Sequence, residues 1–331
     1  MTDDARLDRV LPGPPAPDPR KPGAHHRLFG IGGITIRVES DLPFTDRTFD
    51  PKFQQFELDG PGPDTVTIRH HFELPAVDPD TLGREVYRKP PWSIYRRDSC
   101  WVYLGVLPEE LGSGLFKVAV FNDDHSLGDL YHPGDGEFRE GGLHSLTMFP
   151  TDQILLTPLL ADRQACFLHS AGAILNRQGL LFVGHSEAGK STTLKLIKDR
   201  AEILCDDRNI VRRETGEAGS AGCGHSRGTR IRVYGTWSHG ELPQVSPASA
   251  PLRAILFLEK SGENSLALLD DRSDILGRLL GCVIRSLETQ GWWQKTLGVV
   301  EALCREVPCY LMRFDKSGQI LEQLEALTEV R

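Results

Sequence analysis

Nothing in the 331 residues supplies a membrane span, a zinc ribbon or a surplus of positive charge. No apolar run approaches the ~18 residues a transmembrane helix needs, and the opening MTDDARLDRVLPGPPAPDPRKPG lacks the apolar core of a signal peptide. The seven cysteines, at 100, 166, 205, 223, 282, 304 and 309, contain no CxxC pair and no zinc spacing, so they read as reduced, mostly buried thiols. Lys and Arg number 38 against 46 Asp and Glu, a net charge of -8, which argues against nucleic acid or an anionic membrane as the main partner. No repeat period is visible. The expectation is a soluble cytoplasmic protein with no nucleic-acid and no membrane partner.

What is present is an ordinary globular composition, 39% hydrophobic and 25% charged, which excludes a wholly disordered, collagen-like or coiled-coil chain. The length allows two domains. Residues 1–24, rich in Pro, Asp and Arg without an apolar period, predict a flexible tail. Over 25–150 the chain runs in short β-type stretches broken by Pro, Gly and Asp: GITIRVES, TVTIRHHFEL, SIYRR, CWVYLGV, LFKVAVFND and GDLYH. This predicts a strand-rich N-terminal domain, a place for substrate or partner recognition. Its His70-His71 and Asp123-Asp124-His125 clusters lack metal-site spacing and read as solvated strand ends.

From 151 to 331 the pattern changes. TDQILLTPLLADRQ reads as helix, and CFLHSAGAIL, NRQG, LLFVGHS as a strand pair about a polar turn. STTLKLIKD reads as helix, and EILCDD, NIVRR, IRVYGTW, PLRAILFLEK and VPCYLMRF as extended, with helices around 273–285 and 292–306 and a closing helix in GQILEQLEALTEV. Alternation of this kind predicts an α/β nucleotide-binding layer structure.

Within it, Gly184-His185-Ser186-Glu187-Ala188-Gly189-Lys190-Ser191 fits the phosphate-loop pattern G-x4-G-K-[ST], after the strand LLFV and at the start of a helix. Such a loop turns successive backbone N–H groups toward phosphate oxygens and adds the positive end of the helix. Lys190 is then the cation for the β- and γ-phosphates, and the Ser191 hydroxyl a Mg²⁺ ligand. The nucleotide-binding stretch extends through Thr192.

About fifteen residues after the lysine, an apolar strand ends in Asp206-Asp207. One carboxylate can hold Mg²⁺ while the other accepts a proton from an attacking hydroxyl. His169, on the strand before the loop strand, is a candidate acid/base or orienting group, or a satisfied core histidine. Arg253, before the apolar run AILFLE, is a candidate for neutralising charge on a transferred phosphoryl group, or a surface ion-pair member. Gly235-Thr-Trp-Ser-His-Gly240-Glu241 has the composition of a loop that shapes a substrate site, with no role derivable from spacing. Trp292-Trp293 read as packing.

The run LHSAGAILNRQGLLFVGHSEAGKSTTLKLI followed by ILCDDRNIVRR resembles the C-terminal kinase domain of HPr kinase/phosphorylase and its smaller serine-kinase relatives, which share a nucleotide-binding core with phosphoenolpyruvate carboxykinase. VYGTWSHGE, APLRAILFLEK and VPCYLMRF resemble segments of HPr-kinase-related proteins found beside peptide-modification genes, and the likeness covers about residues 165–315. It implies an α/β fold with a P-loop, HPr kinase/carboxykinase-like mixed-sheet core over 151–331 and a separate strand-rich domain over 25–150. It also implies ATP and Mg²⁺ as cofactors, Lys190 and Ser191 as nucleotide and metal ligands, and His169 as the active-site histidine. Asp206 and Asp207 become metal ligand and general base, the division between them open, with Asp206 taken alongside Ser191 as the metal pair, and Arg253 matches a phosphate-directed arginine.

Departures limit what carries over. Glu187 stands where the family's loop usually has glycine, Thr192 where it has glutamate, and the later glycine-rich signature is absent, so phosphorolysis and HPr as target are not transferred. The leading expectation is a kinase moving the γ-phosphoryl group to a hydroxyl, a serine of a peptide or small protein. A small-metabolite or carboxykinase-like enzyme and a non-catalytic nucleotide-gated binding module are the alternatives. HPr kinases are hexamers; a homo-oligomer is an expectation that no residue here carries.

Overall fold

A computed structural model describes residues 11, 13, 25–107, 114–214, 230–287 and 291–329. Apart from Leu11 and Gly13, the tail expected over 1–24 lies outside the described residues. Among the described residues the architecture is mixed α/β with two large mixed sheets, each eight-stranded. The chain divides into two compact units: the described residues of Met1–Leu159 and Ser286–Glu288 form one, those of Leu160–Arg285 and Thr289–Arg331 the other. Among the described residues no helix is long and apolar enough to cross a membrane.

The first unit holds β1 (His25–Ile31), β2 (Ile34–Ser40), β3 (Thr65–His71), β4 (Arg84–Lys89), β5 (Trp92–Arg97), β6 (Cys100–Leu107), β7 (Gly114–Asn122) and β8 (Leu127–Tyr131) in the order β1-β2-β3-β8-β7-β6-β5-β4. Gly32 and Gly33, both at positive φ, turn β1 into β2, as the tight hairpin requires. β3 alternates as its sequence does, with Val66, Ile68 and His70 inward. A short helix α1 (Gly136–Glu140) follows the sheet.

His70 and His125 are buried, at 1% and 4% exposure, and not solvated strand ends. Each ring has found a partner that replaces water. His70 Nε2 lies 2.9 Å from the Leu146 carbonyl, which can only accept, so His70 Nδ1 in turn accepts from His132 Nε2–H at 2.9 Å. His125 Nε2 lies 2.8 Å from the Tyr103 hydroxyl. Burial holds all three rings neutral, pulling His70 to about 4, His125 to about 3 and His132 to about 2.

Helix α2 (Thr157–Asp162) continues directly from a wide π-type turn over Asp152–Leu156, and Pro158, which has no N–H to give the helix, follows immediately on that irregular turn. The second unit contains β9 (Ala165–Leu175), β10 (Gln178–Val183), α3 (Lys190–Ile197), β11 (Glu202–Cys205), β12 (Arg208–Glu214), β13 (Arg230–Tyr234), β14 (Ser249–Lys260), β15 (Ser265–Leu268), α4 (Arg272–Leu280), α5 (Trp292–Glu306), β16 (Cys309–Phe314) and α6 (Ile320–Thr328). Asn176 and Arg177, both at positive φ, close the β9–β10 hairpin. β14 pairs in parallel with β10 on one side and β16 on the other, and the apolar runs Leu180–Val183 of β10 and Ala254–Phe257 of β14 are buried on both faces. Two apolar clusters cover the sheet, one including Leu181, Leu279 and Val300, the other Phe182, Leu194 and Leu324.

The helix expected over 273–285 ends at Leu280. Beyond Gly281 the chain leaves the helix because β9 offers unpaired backbone: His169 N–H donates to the Cys282 carbonyl and Ile284 N–H to the Phe167 carbonyl. Local propensity yields there to a tertiary ladder.

Candidate functional site

β9 positions the site because three strands share it. Its first half pairs with β12, Arg208 opposite His169, and its second half with β10 and β11. Ser170 lies opposite Val183, the last residue of β10, so the hairpin carries His169 to the point where the chain leaves β10 for the loop Gly184–Gly189. Asp206 and Asp207 are the two residues linking β11 to β12, and since both strands pair with β9, this link is drawn to the same point. Ser170 N–H donates to the Asp207 carbonyl at 3.0 Å.

The loop runs from β10 into α3 through two left-handed positions, Glu187 at φ 67 and Gly189 at φ 103. A side chain on Gly189 would also press on the Phe314 ring, its Cβ 2.7 Å from Cζ, so glycine is required there on both counts. Glu187, a non-glycine in that region, carries backbone strain within the loop. Lys190, 8% exposed, turns back under the loop and its ammonium donates to the carbonyls of Gly184 at 2.9 Å and His185 at 3.1 Å. Burial lowers its pKa, opposed by Cys282, Asp207 and Asp206. The first backbone N–H groups of α3 have no intrahelical acceptor and make that end electropositive.

Asp206 is 3% exposed, and both its oxygens are engaged. Oδ1 accepts from Gly240 N–H at 2.5 Å; Oδ2 accepts from Leu242 N–H and from the Ser191 hydroxyl, each at 2.9 Å. Asp207 stands more open. His169 Nδ1–H is shared between its Oδ1 at 3.1 Å and its carbonyl at 3.0 Å, and Arg208 Nε lies 3.2 Å from Oδ2. The His169 hydrogen bond holds the Asp207 carboxyl below the usual carboxylate value, with Arg208 assisting and burial opposing.

His169, Lys190, Ser191, Thr192, Asp206 and Asp207 line one cleft of about 510 Å³, together with Ser186, Glu187, Gly189, Gly240, Glu241 and Lys260. The chemistry available is a cationic floor, the Asp206 and Asp207 carboxylates of different exposure with Glu187 and Glu241 also on the lining, and a hydroxyl beside Asp206. Ser191 Oγ and Asp206 Oδ2 are adjacent hard oxygen donors, a set that fits a small divalent cation completed by water or phosphate oxygens. Among the described residues no group of three or more His, Cys, Asp and Glu could hold a metal by itself.

Arg253 is not part of this cleft. The β10–β14 register shifts between Gly179 and Leu180, whose partners are Leu252 and Ala254, leaving Arg253 as an extra residue beside the start of β10. Gly179 to Val183 is four residues, about 13 Å at strand rise. Arg253 is exposed, and its Nε donates to the Leu327 carbonyl at 2.9 Å. Because β14 runs parallel to β10, the end near the loop is the other one, carrying Lys260. Spacing could not identify Lys260; the parallel pairing of PLRAILFLEK with LLFV is the signal that would have. Gly240 and Leu242, which hold Asp206 through their backbone, lie in and just after the GTWSHGE segment.

No family profile matches the chain, and no curated protein matches it. Among solved structures, it matches an HPr(Ser) kinase/phosphatase from Coxiella burnetii at 14% identity and a TM-score of 0.26, over 49% of this chain and 87% of that chain. A superposition that loose assigns no residue of the cleft.

Proposed function

We propose that the second unit is a P-loop, HPr kinase-like phosphotransferase, dependent on ATP and Mg²⁺, that moves the γ-phosphoryl group to a hydroxyl, a serine of a peptide or small protein. The observation that carries this reading is the convergence of Lys190, Ser191–Asp206 and His169–Asp207 on one cleft at the end of a strand. Lys190 and the backbone N–H groups of the loop and of α3 bind the phosphates. Ser191 and Asp206 would hold Mg²⁺, which when bound shields the charge on the phosphates.

Asp207 serves the acceptor. It is the more exposed carboxylate, it is ionised at neutral pH, and His169 fixes its orientation. The acceptor oxygen forms a new bond to the γ-phosphorus, the bond from that phosphorus to the β–γ bridging oxygen breaks, ADP departs, and the hydroxyl proton passes to Asp207. What supports the division between the aspartates is their partners: Asp206 faces the Ser191 hydroxyl and two N–H groups, Asp207 a histidine and an arginine.

The test is transfer of labelled γ-phosphate from ATP to serine-containing peptides and to a metabolite panel, with Lys190→Ala and Asp207→Asn as controls. Transfer that both variants abolish supports the reading; wild-type protein that neither binds nor turns over ATP refutes it.

A further inference from the structure

Lys260 ends β14, three residues beyond Phe257, the partner of Val183 at the end of β10, so its strand emerges on the same side as the loop. Its stem lies over the loop: a Cβ on Gly189 would be 3.6 Å from Lys260 Cε. The residue is exposed and lines the same cleft as Lys190, Asp206 and Asp207. Its nearest acidic neighbour in sequence, Glu259, is engaged by Arg313 Nε at 3.0 Å. Among the described residues no hydrogen bond or ion pair neutralises the Lys260 ammonium. Lys190, by contrast, is buried and tied to two loop carbonyls.

We infer that Lys260 is the cation that binds the terminal phosphate of a nucleoside triphosphate and so discriminates triphosphate from diphosphate in this cleft. The inference rests on the proposed nucleotide-binding role. A phosphoryl group transferred to a hydroxyl at Asp207 has to lie in the space bounded by the loop, Asp207 and the tip of β14. A diphosphate held by the loop alone does not bring that last charge there. A long, flexible lysine stem with its charge in water can follow the phosphate without a fixed partner. It takes the part that Arg253, at the far end of the same strand, cannot reach.

The experiment compares affinities of the full-length protein for Mg²⁺ with a non-hydrolysable ATP analogue and for Mg²⁺ with ADP, by calorimetry, in wild type, Lys260→Ala, Lys260→Arg and Lys190→Ala. Lys260→Ala should weaken the triphosphate roughly tenfold, the order expected of one exposed cation on one phosphate charge, and ADP less than about twofold. Lys260→Arg should restore the wild-type ratio. If Lys260→Ala keeps the wild-type ratio of the two affinities while Lys190→Ala loses both nucleotides, the role of Lys260 is wrong and the nucleotide site stands. Equal loss of both nucleotides in Lys260→Ala and Lys260→Arg also overturns it. Wild-type protein that binds neither nucleotide removes this inference together with the function it rests on.

Discussion

The Ser191 hydroxyl donates to Asp206 Oδ2 at 2.9 Å, joining the first turn of α3 to the link between β11 and β12. Fifteen positions apart in sequence, the two side chains meet because β10 and β11 both pair with β9. Asp206 thereby also fastens the segment of Gly240 and Leu242, so it has a structural duty that Asp207 lacks.

Asp206→Asn should therefore cost stability, and Asp207→Asn should not. An amide in place of the carboxylate turns an NH₂ toward N–H donors and leaves at least one unpaired in a buried site, about 1–3 kcal/mol. Asp207→Asn, with its ion pairs at a partly open position, should stay within about 1 kcal/mol of wild type. Urea unfolding of the two variants measures the difference, and equal midpoints would speak against it.

Removing His169 should raise the pKa of Asp207. The His169 hydrogen bond is the largest cause of its depression, and the stability that a lowered carboxylate confers is present above its ordinary value of 3.8 and lost as pH falls through the folded value. In His169→Ala the Asp207 carboxyl should titrate closer to 3.8. Carbon NMR of labelled aspartate reads this directly; an unmoved titration would mean that Arg208 alone sets it.

Acid should destabilise the first unit. The unfolded chain takes up protons near pH 6.5 that His70 and His125 refuse until about 4 and about 3, so stability falls as pH drops below 6.5 and continues to fall toward those values. At about 1.4 kcal/mol per pKa unit, each ring accounts for a loss on the order of a few kcal/mol. Melting midpoints should decline steadily from pH 7 to 4, less steeply in His125→Asn, which keeps a residue tolerant of the φ of 58 found there. A flat profile in wild type would contradict the burial argument.

Gly189→Ala should disable the loop. At φ 103 an L side chain is strained, and its Cβ would crowd the buried Phe314 ring. We expect a loss of about 1–3 kcal/mol and, in a nucleotide-binding assay, no measurable affinity. Wild-type melting together with wild-type binding would show that the loop relaxes freely.

Much of the strand pattern was legible because alternation and apolar runs announce buried strands. ITIRVES, CWVYLGV, LLFV and AILFLEK all lie in strands, and WWQKTLGVVEALCRE is α5 throughout. β4 and β15 were not legible: REVYRK is charged and half exposed at a sheet edge, and SLAL is too short to show a period. Helix α4 was read too long because the pairing of Cys282 and Ile284 with β9 leaves no local trace. In the site, the loop and the acidic pair were visible as motifs. His169 was visible only as a candidate, and Lys260 not at all.

The sequence by itself determined the local matters: where strands and helices form, that a loop of glycines must turn between LLFV and STTLKLIKD, and that two carboxylates close the strand EILC. Those follow from side-chain period and backbone freedom, which act over a few residues. Only the tertiary structure decided which strand ends meet, because that depends on register and strand direction between distant segments. The hairpin set His169 beside the loop, shared pairing with β9 brought Asp206 to Ser191, and the parallel run of β14 carried Lys260 to the cleft while leaving Arg253 at the opposite end.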